Sequence, residues 1–211
     1  MYNINEDTIL YAGDIVSDSR VNHKYKNTIG ISLNRQDNRH IKHDLTKPIP
    51  LDDNLVKYFQ AEDVFEHIEF DKLHDTIKEI YRILKPNGIF RLSVPDYKWE
   101  HHINRSVKDE KGNIIFDPVG GGSYDENSKT VIGGGHVWFP TIESVKELFD
   151  NSPFKTNGEI NYLHYFDEDG IPVLNEIDYS IFYVMRTPDN FKRYEQYLNV
   201  PHSIVVDAIK K

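Results

Sequence analysis

The stretch Tyr58–Asp96, YFQAEDVFEHIEFDKLHDTIKEIYRILKPNGIFRLSVPD, predicts a strand, a helix and a second strand in succession. A helix beginning at an Asp71 N-cap is indicated by apolar residues at helical spacing, which are Leu73, Ile77, Ile80, Tyr81 and Leu84. Lys85–Gly88 is predicted to end the helix and form a turn, and Ile89–Val94 is the second predicted strand. This order is typical of parallel strands joined by a right-handed crossover.

Acidic residues follow both strands of this unit. Glu62 and Asp63 end the first strand, and Asp96 ends the second. Because open parallel sheets bind ligands beyond the carboxyl ends of their strands, these acids are candidate site residues. Three earlier short strands are predicted at Thr8–Ala12, Thr28–Leu33 and His40–His43.

Composition limits the class of protein. The chain has 211 residues, 38% of them hydrophobic and 28% charged, which we interpret as a single domain over residues 1–211. There is no cysteine, and the net charge of −9 opposes binding to nucleic acid. No run approaches the roughly 20 apolar residues of a membrane span. Met1–Asp7 lacks the basic start and apolar run of a signal peptide, so we expect a cytoplasmic protein.

A long segment of low periodicity, residues 98–135, contains the two glycine triplets Gly120–Gly122 and Gly133–Gly135. Loops of this length in a compact domain are commonly functional, so we expect a substrate-side insertion here. Thr141 is the predicted N-cap of a helix to about Asp150. Closing strands are predicted at Glu159–Phe166 and Ser203–Ile209.

Three motifs carry a resemblance to a known family: Asp44–Pro50, Glu62–Ile68 and Glu79–Gly88. With the strand that ends in Val94-Pro-Asp, they make the chain similar to a small, type-11-like class I S-adenosylmethionine-dependent methyltransferase. The strong resemblance covers about residues 44–96. The segment Gly135–Thr141 and the last strand resemble later parts of such enzymes more weakly.

The resemblance implies an α/β, Rossmann-like class I methyltransferase fold, with a mostly parallel seven-stranded sheet, an antiparallel last strand and helices on both faces. It implies S-adenosylmethionine as cofactor, with S-adenosylhomocysteine as product, lying across the carboxyl ends of the first strands. The cofactor-binding positions that it implies are Ala12, Gly13, Asp14, Ser32, Asn34, Asp44, Leu45, Ala61, Glu62 and Asp63.

Two of these positions depart from the family pattern. The glycine-rich motif after the first strand is reduced to Ala12-Gly13-Asp14. The acid that usually ends the second strand is absent, and Ser32 and Asn34 are the polar residues there. These departures leave open a second hypothesis, a methyltransferase-like binding or regulatory subunit without catalysis.

The candidate bases for activating a hydroxyl acceptor are His136 and Asp96, with His101 and His102 as further imidazoles near the second strand. His136 is preferred because it follows a glycine triplet, precedes Val-Trp-Phe and titrates near neutrality. Adjacent histidines in an extended segment point in opposite directions, so we expect no metal. The substrate-side candidates are His101, Tyr124 and Trp138.

The function that these residues and the resemblance favour is O-methylation of a small polar acceptor, with a sugar or glycan hydroxyl as the first choice. Methylation of a small-molecule amine or carboxylate is the alternative reaction. The expected partners are therefore the cofactor and a small-molecule or glycan acceptor, without nucleic acid.

Overall fold

A computed structural model describes residues 4–15, 27–190 and 199–211. Its strands are β1 (Ile9–Ala12), β2 (Thr28–Ser32), β3 (His40–Lys42), β4 (Val56–Glu62), β5 (Leu84–Pro95), β6 (Val107–Lys108), β7 (Ile114–Phe116), β8 (Ser123–Asp125), β9 (Thr130–Ile132), β10 (Gly158–Phe166), β11 (Pro172–Leu174) and β12 (Ser203–Lys210). Its helices are α1 (Phe70–Ile83), α2 (Glu100–Arg105), α3 (Ile142–Asp150) and α4 (Pro153–Asn157), with a short 3-10 helix at Phe65–His67.

Eight strands form the central sheet, in the order β11-β10-β12-β5-β4-β1-β2-β3. The five strands from β5 to β3 are mutually parallel, and β12 is antiparallel to both of its neighbours. The mostly parallel α/β sheet with an antiparallel last strand is therefore confirmed. The expected count of seven strands is exceeded because β11 pairs with β10 as an additional edge strand.

The predicted strand, helix and strand unit is present, with one correction at the start of the helix. α1 begins at Phe70 after a Glu69 N-cap, and Lys72 donates its backbone N–H to Glu69 O at 2.9 Å. Asp71 instead lies in the first turn, where its negative charge favours the positive helix end. β5 begins at Leu84, directly after α1, so the predicted turn Lys85–Gly88 lies within the strand, where Asn87 takes a φ of +63°.

The two faces of the sheet are covered differently. Apolar side chains of α1, α3 and α4 join those of the strands in one core, in which Phe90 of β5 packs against Phe149 and Phe154. On the opposite face the non-helical segment 177–187 covers the sheet, with Phe182 packed edge-on against Tyr58 at 5.8 Å between ring centroids.

The segment 98–135 is more regular than its sequence suggests. It contains α2 and the two hairpins β6-β7 and β8-β9. The glycine triplets contact each other, since a Cβ at Gly135 would lie 2.2 Å from Gly121 O.

Thr141 is confirmed as the N-cap of α3, and its N–H donates to Ser144 Oγ at 3.0 Å. Within residues 4–15, 27–190 and 199–211, none of the helices has the length and apolar character needed to cross a membrane.

Candidate active site

The carboxyl ends of the five parallel strands form one edge of the sheet, with β3, β2, β1, β4 and β5 in that order. Backbone bonds tie the neighbouring ends together: His43 N–H donates to Ser32 O at 2.8 Å, and Gly13 N–H to Ile31 O at 2.7 Å. Asp63 N–H donates to Ser93 O at 3.0 Å. The structure therefore brings the predicted positions after β1 to β5 into one row.

The loop after β1 is held by a residue that sequence reasoning missed. His40 is buried, and its Nε2 accepts the backbone N–H of Ile15 at 3.0 Å, while Nδ1 contacts Asp37 Oδ1 at 2.8 Å. The imidazole lies against Gly30, where a Cβ would be 2.6 Å from its Cδ2. Nothing in the local sequence distinguishes His40 from an ordinary strand residue, because its partners lie on other segments.

Gly13 itself has a φ of +93°, a backbone conformation that favours glycine, and a Cβ there would approach Val64 Cγ2 to 3.2 Å. The loop after β1 therefore keeps the close backbone approach that a cofactor needs. Asp14 is exposed, whereas Ala12 and Ala61 are fully buried in the core, so their side chains do not face this edge.

Two polar residues stand at the ends of β2 and β3. Ser32 is buried, and its Oγ accepts the N–H groups of Asn34 at 3.1 Å and Arg35 at 3.0 Å, which leaves its own hydrogen to donate. Asp44 Oδ1 accepts the N–H and the hydroxyl of Thr46 at 2.9 and 2.8 Å. The Thr46 backbone bond lowers the pKa of Asp44, so the carboxylate is ionised and suited to an amine donor.

These groups fit an adenosine-containing cofactor in part. Asp44 supplies a carboxylate acceptor and Gly13 an open backbone position, while Ser32 supplies a hydroxyl donor in place of the usual acid. Asn34 is exposed, and Leu45 is buried with its carbonyl accepting the Thr76 hydroxyl at 3.0 Å.

Glu62 and Asp63 make contacts that their sequence positions do not reveal. Glu62 is buried, and its Oε1 accepts the backbone N–H groups of Met185 at 2.7 Å and Arg186 at 3.3 Å. Burial, aided by the Asp63 charge, raises the pKa of Glu62 to about 8. Asp63 has a φ of +53° and pairs with Arg186 at 2.7 Å. Both carboxylates thus bind segment 177–187.

A second group of side chains meets beside the end of β4, and we call Glu66, His67 and His136 the Glu-His-His cluster. One potential ligand atom from each lies within 4.8 Å of the others. The 3-10 helix carries Glu66 and His67, and Val137 N–H donates to Glu66 O at 2.9 Å, which places His136 opposite them. Trp138 also joins the segment after His136 to the 3-10 helix, because its Nε1 donates to Phe65 O at 2.8 Å.

A buried chain of hydrogen bonds orients the His136 ring. Arg105 binds Asp117 through Nε and Nη2, and Asp117 Oδ2 accepts the Tyr97 hydroxyl at 2.7 Å. Tyr97 Oη lies 2.5 Å from His136 Nδ1. Because the hydroxyl gives its one hydrogen to Asp117, we assign the donor to His136 Nδ1–H, which leaves a lone pair on Nε2.

The electrostatics of His136 differ from the expectation for a general base. Burial, together with the neighbouring His67, lowers its pKa to about 3. The imidazole is therefore neutral at pH 7 and a weak general base.

Asp96 is placed differently from the sequence expectation of an available base. It is fully buried, and its two oxygens accept the backbone N–H groups of Lys98 at 2.9 Å and Phe166 at 2.8 Å. Burial raises its pKa to about 6. His102 is also buried, with Nδ1 2.7 Å from Asp96 O. Asp96 therefore joins the end of β5 to the end of β10, and His102 joins it to α2.

A cavity of about 740 Å³ lies past the ends of β5 and β10. The predicted substrate residue His101 lines it, and Trp99 stacks on His202 at 4.9 Å beside it. The other lining residues are Lys98, Glu100, Asn104, Arg105, Phe166, Gly170 and Val200. Arg105 links this cavity to the Glu-His-His cluster through Asp117 and Tyr97. The predicted substrate residue Tyr124 lies in β8 instead, half-buried.

Comparison with known proteins supports the class of protein. Residues 20–92 match a family model described as a methyltransferase domain. No curated protein matches the chain. A SAM-dependent methyltransferase of Methanosarcina mazei has a TM-score of 0.54 and 12% identity, over 99% of this chain and 95% of that chain. One from Mesorhizobium loti gives 0.52 and 14%, over 100% and 94%.

A further SAM-dependent methyltransferase, from Thermotoga maritima, is described as a possible histamine N-methyltransferase and has a TM-score of 0.51 and 16% identity, over 97% of this chain and 82% of that chain. Similarity at these identities shows the Rossmann-like fold of class I methyltransferases. Together, the family match and the fold support a SAM-dependent methyltransferase with S-adenosylmethionine as its cofactor.

Proposed function

We propose that this protein is an O-methyltransferase that modifies a hydroxyl of a small polar acceptor, with a sugar or glycan as the first candidate. The observation that carries the proposal is the 740 Å³ cavity at the carboxyl edge of the sheet, which combines aromatic rings with polar side chains. His101, which is half-buried on the cavity wall, offers a ring face for a sugar, and Glu100 and Asn104 offer hydrogen-bonding groups for its hydroxyls.

The cofactor is proposed to lie across the ends of β1, β2 and β3. Asp44 would accept the exocyclic amine of adenine, Ser32 would bind a ribose hydroxyl, and the loop at Gly13 would approach the methionine part. When bound, S-adenosylmethionine supplies an electrophilic methyl group on sulfur. The cavity lies toward β5 in the same row of strand ends, so cofactor and acceptor can meet near the end of β4.

The Glu-His-His cluster is the proposed activating group for the acceptor hydroxyl. It follows β4 directly, at the place where the two ligands would meet, and His67 is its partly exposed member. The hydrogen-bond chain from Arg105 holds His136 in one orientation. Preorganised groups of this kind lower a barrier mainly by positioning.

The test is transfer of a labelled methyl group from S-adenosylmethionine to panels of sugars, sugar nucleotides, amines and carboxylic acids. We expect a base-stable methyl ether on a sugar hydroxyl. His101→Ala should raise the acceptor KM at least tenfold and leave S-adenosylhomocysteine binding unchanged, whereas Asp44→Ala should weaken that binding. Base-labile methyl esters, or methylated amines alone, would contradict the hydroxyl acceptor.

One observation favours an amine as the second candidate acceptor. Glu62, Asp63 and Glu66 place three carboxyl groups together at the end of β4, and because burial raises the pKa of each, a bound ammonium group would stabilise their ionised forms. The possible histamine N-methyltransferase described for the Thermotoga maritima structure has the same fold. Methylation of the amines in the panel would distinguish an amine acceptor from a hydroxyl acceptor. If calorimetry detects no binding of S-adenosylhomocysteine, a non-catalytic subunit is favoured.

A further inference from the structure

Glu66 carries an unsatisfied acidic group beside the end of β4. Its side chain is completely buried, and neither carboxylate oxygen has a hydrogen-bond partner among those residues. His136 Nε2 lies 3.7 Å from Glu66 Oε1, which is too long for a hydrogen bond. Burying a carboxylate without a partner costs several kcal/mol, on the order that a bound cation can offset.

The two imidazoles beside this carboxylate are arranged as ligands rather than as donors to it. His136 Nε2 carries the lone pair, because Nδ1–H is directed to Tyr97 and the Asp117–Arg105 pair. A ligating histidine that donates its other ring nitrogen toward a carboxylate network is the usual arrangement around a protein metal ion. His67 Nδ1 is also buried and has no hydrogen-bond partner among the residues described.

The spacing of the three groups is close to that around a small ion. Their ligand atoms all lie within 4.8 Å of one another. Nitrogen and oxygen ligands at about 2.0–2.2 Å from a zinc ion are separated by roughly 3.3 Å, so the His136 to Glu66 distance is nearly suitable and His67 would move inward by up to about 1.5 Å. The His67 and His136 rings are T-shaped, with centroids 4.8 Å apart.

We propose that Glu66, His67 and His136 bind a divalent transition-metal ion of the zinc type. Two imidazoles and one carboxylate favour zinc, cobalt or iron over magnesium, which prefers oxygen ligands. Three protein ligands leave a coordination position for the acceptor hydroxyl. The ion lowers the pKa of that hydroxyl, and its proton is released to water. This role rests on the proposed O-methyltransferase function, whereas the binding of the ion does not.

Charges of both signs surround the cluster: Asp63 and Asp117 favour a cation, and Arg105 and Arg186 oppose one. Asp63, which lies three residues before Glu66, has a buried Oδ1 without a hydrogen-bond partner among the described residues, and its Oδ2 pairs with Arg186. Gly120 leaves room for the His136 ring, since a Cβ there would lie 2.6 Å from its Cγ. The His136 ring is therefore fixed from both sides, by Tyr97 and by the glycine triplet.

The experiment titrates the full-length, metal-free protein with Zn²⁺ and Co²⁺ by calorimetry and follows the visible spectrum of Co²⁺. We expect one ion per chain and a Co²⁺ spectrum of four- or five-coordinate geometry. His67→Ala and Glu66→Gln should each weaken binding at least tenfold, since loss of one ligand typically costs more than loss of a supporting contact, which is 10–100-fold. His43→Ala, which removes a half-buried histidine outside the cluster, should bind the ion as the unchanged protein does.

If Glu66→Gln does not fold, His67→Ala still tests the metal site, because His67 is partly exposed and its replacement disturbs the core less. Absence of saturable binding, or equal affinity in His67→Ala, would overturn the site, as would an octahedral Co²⁺ spectrum unchanged by that variant. Calorimetry with S-adenosylhomocysteine is run on the same samples. Binding of that molecule without binding of an ion would reject the metal site and leave the methyltransferase proposal intact.

Discussion

At the residue scale, Asp96 illustrates how burial changes the part that a carboxylate plays. Its position after a strand favours catalysis in sequence terms, yet both oxygens accept backbone N–H groups. Its pKa is raised from an ordinary 3.8 to about 6, chiefly by burial. The folded state therefore binds the Asp96 proton more tightly than the unfolded state does.

This shift predicts a pH dependence of stability. Since the folded pKa is raised, the Asp96 contribution is fully present below about pH 3.8 and is lost as the pH rises through about 6. The free energy of unfolding of the unchanged protein should fall relative to that of Asp96→Asn across this window. Urea unfolding at intervals from pH 4 to 7 measures the difference, and a pH-independent difference would contradict it.

At the element scale, an ion pair inside the sheet joins β5 to β12. Arg91 is 2% exposed, and its Nε and Nη2 each bind an oxygen of Asp207 at 2.6 Å. Its Nη1 donates to Asp178 O at 2.9 Å and Phe182 O at 3.3 Å. Arg91 thus connects two antiparallel strands to segment 177–187.

Arg91→Leu should destabilise the protein by about 3–5 kcal/mol, because it removes a buried arginine and leaves the Asp207 carboxylate, which is 16% exposed, without its partner. Arg91→Leu with Asp207→Leu should recover part of this loss. Arg35→Leu is the matched control: it breaks an exposed pair with Asp37 and should cost about 0–1 kcal/mol. Urea unfolding of the four proteins tests this, and equal effects of the two arginine variants would be inconsistent with it.

At the scale of the whole molecule, the row of strand ends from β3 to β5 makes one ligand-binding edge out of five separate chain segments. A ligand on this edge binds only when the sheet is assembled. Its binding therefore stabilises the folded state as a whole rather than a single element.

S-adenosylhomocysteine at a hundred times its Kd should add about 2.7 kcal/mol to stability. For a protein of this size that corresponds to a rise in Tm of about 5–10 °C. Scanning fluorimetry with increasing ligand measures the shift, and Asp44→Ala should reduce it at equal concentration. An unchanged Tm at saturating ligand would argue against a cofactor site on this edge.

The sequence alone predicted α1, β4 and β5, because helical spacing and apolar strand runs are local patterns that the burial of one face imposes. It also placed Glu62, Asp63 and Asp96 on one edge, since residues after parallel strands share an edge, whereas the resemblance implied the positions of Asp44, Ser32 and Gly13. The first turn of α1 was misplaced, because Glu69 and Asp71 are both acceptable near a helix start.

Only the tertiary structure decided which side chains meet. Arg91 and Asp207 are 116 residues apart, Gln60 and Tyr183 are 123 apart, and Tyr97 and His136 are 39 apart. The local sequence of Glu66 and Asp96 does not say which acid finds hydrogen-bond partners. That outcome depends on which distant segments pass each acid at the edge of the sheet. Asp96 accepts two backbone N–H groups there, whereas Glu66 faces two imidazoles.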